Sequence, residues 1–214
     1  MNRIKVFISY SSKQKIIGGR FKYYLNNYCG YETFIAHDDI PPSSIFEEEI
    51  LKAIESTDLF IPLLSDKFKT SDFTDQETGV AVGMKKKIFP IKLQDLNPYG
   101  FINKYHALQY KEYPSNYFPK DNSKELVLAI AQVCLKNEVY RSKAIDSLLY
   151  AFCRSTSFEI TNTIIELLSR HDQMTSEQLD KITTAIKTNV QISGAWGLEE
   201  FKKFLHTKYN WSID

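Results

Sequence analysis

The sequence predicts a doubly wound α/β domain over residues 1–136, followed by an all-helical module over residues 137–214. Short apolar, β-branched runs alternate with helical stripes through the first part of the chain, the pattern of a parallel sheet covered by helices on both faces. Past residue 137 the strand patterns stop and only stripes with helical spacing remain. The chain is 43% hydrophobic and 25% charged, a balance that favours a buried core over disorder.

Ile4 to Ser9 (IKVFIS) reads as a central strand buried on both faces. Ile17, Phe21, Tyr24 and Tyr28 form one face of the next helix, which Gly30 closes. Tyr31 to Ala36 (YETFIA) is a second strand, and Asp38, Asp39, Pro41 and Pro42 form a loop that cannot continue it. Ser44 and Glu47 predict a capping box on a helix that turns Ile50, Leu51 and Ile54 inward. Leu59 to Leu64 (LFIPLL) is the third strand, with a bulge or irregular end expected at Pro62. Ser71 to Met84 is the next helix, and Ile88 to Leu93 (IFPIKL), again with a proline, the fourth strand. Asn97 to Pro119 reads as an aromatic loop with one short strand near His106 to Tyr110. Asn122 with Glu125 is expected to cap a fifth helix that buries Val127, Ile130, Ala131 and Cys134. In the module, Ile145, Leu148, Leu149 and Phe152 form one stripe, and Ile160, Ile164, Leu167 and Leu168 a second. Leu179, Ile182, Ile186 and Val190 form a third, and Leu198, Phe201 and Leu205 a fourth.

Basic and acidic residues number 27 and 26, and a net charge of +1 gives no broad field to draw nucleic acid or anionic lipid. The run Lys85, Lys86, Lys87 reads as a solvated helix end. Cys29, Cys134 and Cys153 are too dispersed for a disulfide framework or a metal pair, so no metal site is expected and a reducing cytoplasm suits the chain. The apolar run Val6 to Ile8 is too short for a signal-peptide core, and no stretch approaches a membrane span.

In an open parallel sheet the ligand lies beyond the carboxyl ends of the strands. The segments there are Ser9 to Ser12, His37 to Ser44, Ser65 to Glu77 and Gln94 to Phe101. They carry no P-loop and no GxGxxG, and strand one ends in Ser9, Tyr10, Ser11 and Ser12 rather than in the acids of a phospho-receiver. What remains is Glu77, in the first turns of a helix begun by Ser71 or Asp72. Taken alone, it is an ordinary partner for the helix dipole and cap.

The runs VFISYSSKQK, FIAHDDIPPSSIFEEEI, SDFTDQETGVAVG and NPYGF resemble bacterial Toll/interleukin-1 receptor (TIR) domains in order and spacing, over residues 1–136. The resemblance implies a flavodoxin-like fold and, as in many bacterial members, assembly-activated cleavage of NAD in antiphage or cell-suicide defence. NAD is then the substrate and no cofactor is called for. The family's catalytic glutamate corresponds to Glu77, and its usual tryptophan four positions earlier is Phe73 here. Ser9, Tyr10 and Ser11 are candidates for contacting ribose or adenine, or else cap the first helix. His37 and Asp38 lie on the expected rim, or else form a turn in which Asp bonds its own backbone. Tyr105, Tyr110, Tyr113 and Tyr117 stack a base or pack on the sheet edge. Expected partners are NAD, other copies of the chain through the TIR domain, and a sensor or defence partner at residues 137–214, where Trp196 and Trp211 add apolar surface. The competing functions are a non-enzymatic adaptor and a nucleoside deoxyribosyltransferase-like enzyme, which also uses a glutamate at a ribosyl carbon.

Overall fold

In a computed structural model, which describes residues 2–40, 45–114, 120–171 and 173–212, the chain starts on the central strand of its sheet. From β1 (Lys5–Ser9) a 3-10 turn at Ser12–Gln14 leads into α1 (Lys15–Tyr28), and the chain returns as β2 (Glu32–Phe34). Next come α2 (Ala36–Asp39), α3 (Phe46–Ser56), β3 (Leu59–Leu64), α4 (Asp66–Lys69) and α5 (Asp72–Gly83). Then follow β4 (Lys87–Ile88), β5 (Ile91–Lys92), a 3-10 turn at Gly100–Ile102, and β6 (Leu108–Gln109). A hairpin of β7 (Glu112–Tyr113) and β8 (Lys120–Asp121) precedes α6 (Ser123–Lys136).

The main sheet is parallel throughout, in the order β2-β1-β3-β5-β6 with β4 also beside β3, the doubly wound arrangement expected from the sequence. Its two internal prolines sit at one interruption. Phe60 and Leu64 accept the N–H groups of Phe89 and Leu93, so every second residue of β3, Pro62 included, turns its backbone toward that neighbour. There the neighbouring strand is split into β4 and β5 around Pro90. The missing N–H of Pro62 thus faces that gap, whereas Pro90, whose carbonyl accepts the Leu108 N–H, turns its backbone toward β6, and β3 itself stays continuous and wholly buried. The irregularity expected in the third strand belongs to the fourth.

β2 is shorter than YETFIA predicts because Asp39 captures the chain. Its carboxylate accepts the Ile35 N–H at 2.6 Å and pairs with Lys22, which turns Ala36 into a short helix. In α3 the residues Ile50 and Ile54 are buried, but Leu51 is 45% exposed. A residue one step from Ile50 lies about 100° around the helix, so Leu51 leaves the inward face. Ile45 holds the N-cap position without a side-chain bond, and Ser44 of the expected capping box lies outside the described residues. At α6 the Asn122 side-chain oxygen accepts the Lys111 N–H, while Asp121 takes the Ser123 N–H at the helix start. One face of the sheet is closed by Phe7, stacked on Phe34 at 5.4 Å and on Phe60 at 5.6 Å, with Ile50, Ile54, Phe68 and Ala81 packed around it.

By contact the chain divides into two compact units, one of Ile4–Leu25 with Glu32–Ile130, the other of Met1–Arg3, Asn26–Tyr31 and Ala131–Asp214. The first holds the sheet. The second holds α7 (Glu138–Cys153), α8 (Phe158–Leu168), α9 (Ser176–Thr188), α10 (Val190–Ser193) and α11 (Leu198–Tyr209). α7 packs on α8 and α9, and α11 on α8, burying Leu148, Phe152, Ile164, Leu168, Ile182 and Phe201. The predicted stripes hold except at Leu179, which is half-buried, and at Val190, which is 74% exposed because Asn189 ends α9 and caps α10 by accepting the Gln191 N–H. Thr175 and Gln178 form a complete capping box on α9. Gly30 has φ +67°, and a Cβ there would lie 1.8 Å from the Ser147 carbonyl oxygen of the same unit, so no other residue fits. No described helix is long and apolar enough to cross a membrane.

Candidate functional site

The winding of the sheet reverses between β1 and β3, and the crevice of a doubly wound fold opens at the carboxyl ends of such a pair. Ser9 is the last residue of β1, paired with Pro62 of β3 and buried. α5 packs against both strands. Its entry is fixed by buried Thr74, whose hydroxyl donates to the Phe68 carbonyl at 2.5 Å and so ties the first turn of α5 to α4. Phe73 and Glu77 follow at i and i+4, on one face of the helix.

That register brings Glu77 to the end of β1. Its side chain is only 7% exposed and accepts a hydrogen bond from the Ser9 hydroxyl at 2.5 Å. Burial pushes the Glu77 carboxyl up to about 7, and the bond from Ser9 pulls the other way. Among the described residues no lysine or arginine lines the cavity beside it, and desolvation decides the direction.

The cavity has a volume of about 380 Å³ and opens among the ends of β1, α2, α3 and α5. Tyr10 and Ser12 line it after β1, Ala36 after β2, and Thr74 with Glu77 along α5. Phe46 and Phe73 meet edge to face at 5.4 Å on its wall. Phe73 is 43% exposed, so it presents a ring to the cavity mouth instead of plugging the core. Of the residues singled out in the sequence, Ser9, Tyr10, Phe73 and Glu77 therefore come together. Ser11 is buried beside them without lining the cavity, and its carbonyl accepts the Gln14 N–H of the 3-10 turn. His37 and Asp38 follow Ala36 in α2, while their side chains, and residues 41–44 of the same loop, lie outside the described residues.

Phe46 was not singled out as a site residue. It is the first residue of α3, and only its place just before the inward stripe of that helix marks it in the sequence. The segment after the fourth strand does not join this cavity, and Gln94 lines a separate one. Tyr110 is buried there, Tyr105 packs on the core, Tyr113 is exposed, and Tyr117 lies outside the described residues. Among the described residues no group of three or more His, Cys, Asp or Glu side chains is placed to hold a metal ion.

Residues 6–127, more than half of the chain, match the family model described as TIR domain. The chain belongs to the TIR domain family. Among solved structures, the TIR domain of the Toll-related receptor TRR-2 of Hydra magnipapillata is similar at 24% identity, over 49% of this chain and 82% of that one, with a TM-score of 0.44. Comparison with curated protein sequences finds no match. Within this TIR domain the buried carboxylate lies at the switch point of the sheet, where two aromatic rings and a serine hydroxyl surround it.

Proposed function

We propose that this TIR domain cleaves the nicotinamide–ribose bond of NAD, with Glu77 as the catalytic group, in a bacterial antiphage role switched on by assembly. The observation that carries the reading is the buried Glu77 carboxylate, held by Ser9 in a cavity at the strand ends.

The chemistry asks little else of the protein. Nicotinamide leaves a cationic pyridinium as a neutral ring, so its departure needs no general acid. As the C1′–N bond breaks, positive charge builds on the ribose, in an oxocarbenium-like state that a carboxylate in a dry pocket stabilises. The substrate's own positive charge favours ionised Glu77 on binding, which offsets the burial that raises its pKa. Water then attacks C1′, its hydroxyl joins the ribose, and its proton passes to the Glu77 carboxylate. Capture by an adenine nitrogen in place of water gives the cyclic isomer. Phe46 and Phe73 supply flat walls for the departing ring.

The test is nicotinamide release from NAD, measured at high protein concentration and under crowding so that assembled protein is sampled. Wild type releases nicotinamide, and Glu77→Gln lowers the rate by about 100-fold or more. Equal rates in the two proteins refute the role of Glu77. Absence of product from assembled wild-type protein refutes the activity.

A further inference from the structure

α1 carries two adjacent glycines in its interior, Gly18 and Gly19. A glycine inside a helix is less favourable than alanine, because it gives up more backbone freedom on folding. The two differ in their surroundings. A Cβ on Gly19 would meet no described atom within 4 Å, whereas one on Gly18 would lie 2.7 Å from Cε1 of the Tyr10 ring, 3.0 Å from Cδ1 and 3.1 Å from Cζ. Gly18 is buried and Gly19 exposed. The bare backbone of Gly18 is thus the surface on which one edge of the Tyr10 ring rests.

Tyr10 follows Ser9, the residue that holds Glu77, and lines the cavity beside that carboxylate. It is 6% exposed, packed on α1 at one side and bordering the cavity at another. Carbon atoms in contact stand about 3.5–4.0 Å apart, so a Cβ on Gly18 would drive the ring back by roughly 0.8 Å or more. A close-packed interior does not yield by that much, whereas a cavity of about 380 Å³ does. The ring therefore retreats into the space that a ligand needs.

We propose that Gly18 is a positioning residue for the site at Glu77: its missing side chain seats the Tyr10 ring against α1 and keeps the cavity open. The effect on turnover rests on the NAD-cleaving reading, while the seat itself is a property of the fold. Gly18 lies behind Tyr10 and acts through it. A displaced ring occupies cavity space in the ground state and in the transition state alike, so the penalty falls on KM. The bond between Ser9 and Glu77 stays in place, and kcat with it.

The test is the pair Gly18→Ala and Gly19→Ala. Both put a better helix former into α1, and Gly19→Ala raises the melting temperature by about 2–4 °C with kcat and KM for NAD unchanged. Gly18→Ala gains no such stability, and its KM rises by about 10-fold or more while kcat stays within about 3-fold of wild type. In a Tyr10→Leu background the ring is gone, and adding Gly18→Ala changes KM by less than about 2-fold. A wild-type KM in Gly18→Ala, a loss confined to kcat, or a KM effect that survives Tyr10→Leu overturns the role. Absence of nicotinamide release from wild type counts against the activity at Glu77 and leaves the seat to be read directly. Wherever turnover is too slow to measure, crystal structures of wild type and Gly18→Ala decide it. A Tyr10 ring displaced toward Glu77 in the variant sustains the seat, and a ring left in place overturns it.

Discussion

At the scale of one residue, Glu77 ties activity to stability through its proton. Its pKa in the fold, about 7, lies above the ordinary 4.5, so the folded state holds this proton more tightly than the unfolded chain does. The stabilising contribution is therefore complete below pH 4.5 and is lost as pH rises through about 7, where ionisation puts a charge in a dry site. The loss is on the order of 3 kcal/mol. Glu77→Gln, which cannot ionise, is expected to melt above wild type at pH 8 and close to it at pH 4, as thermal unfolding at the two pH values will show. Activity runs the opposite way, because the ionised form stabilises the ribosyl cation, so kcat/KM rises with pH through the pKa of the free enzyme. Ser9→Ala removes the bond that favours the carboxylate, and the midpoint of that pH profile should move upward. A fixed midpoint shows that the titration belongs to another group.

At the scale of elements, the sequence located β1 and β3 well because each is a continuous apolar run, and α5 by its place between two strands. Glu77 was legible by the same route, since strand ends and helix starts name the edge where a ligand binds. Its partnership with Ser9 was not legible, because it spans 68 positions and depends on how α5 sits on β1. Leu51 shows the opposite failure. Next to Ile50 it extends an apolar run, yet only the helical angle decides which of the two is buried. Ile54→Ala should cost about 2–5 kcal/mol in chemical denaturation, and Leu51→Ala far less. The separate cavity that Gln94 lines was hidden for a related reason, since Gln14, Gln94 and Tyr110 around it lie on separate elements.

At the scale of the whole chain, the pattern change near residue 137 and the division by contact mark different things. The sequence changes style where strands end, whereas Asn26–Tyr31 and Ala131–Lys136 belong with the C-terminal helices as one compact unit. A chain cut after Lys136 therefore leaves Cys29, Tyr31, Cys134 and Leu135, all buried in the 214-residue chain, without most of their own unit. It should melt lower and aggregate on concentration, as light scattering during a thermal ramp will register. If it stays monomeric with an unchanged melting temperature, the C-terminal helices are dispensable to that packing.

The tight approach of Gly30 to Ser147 also has a consequence in time. More than 100 residues of synthesis separate these two positions, which at about 5–20 residues per second is roughly 6–23 s on the ribosome. Throughout that interval the nascent chain carries an apolar segment whose lid has not yet been translated, so holdase chaperones have their longest opportunity there, early in the birth of the protein.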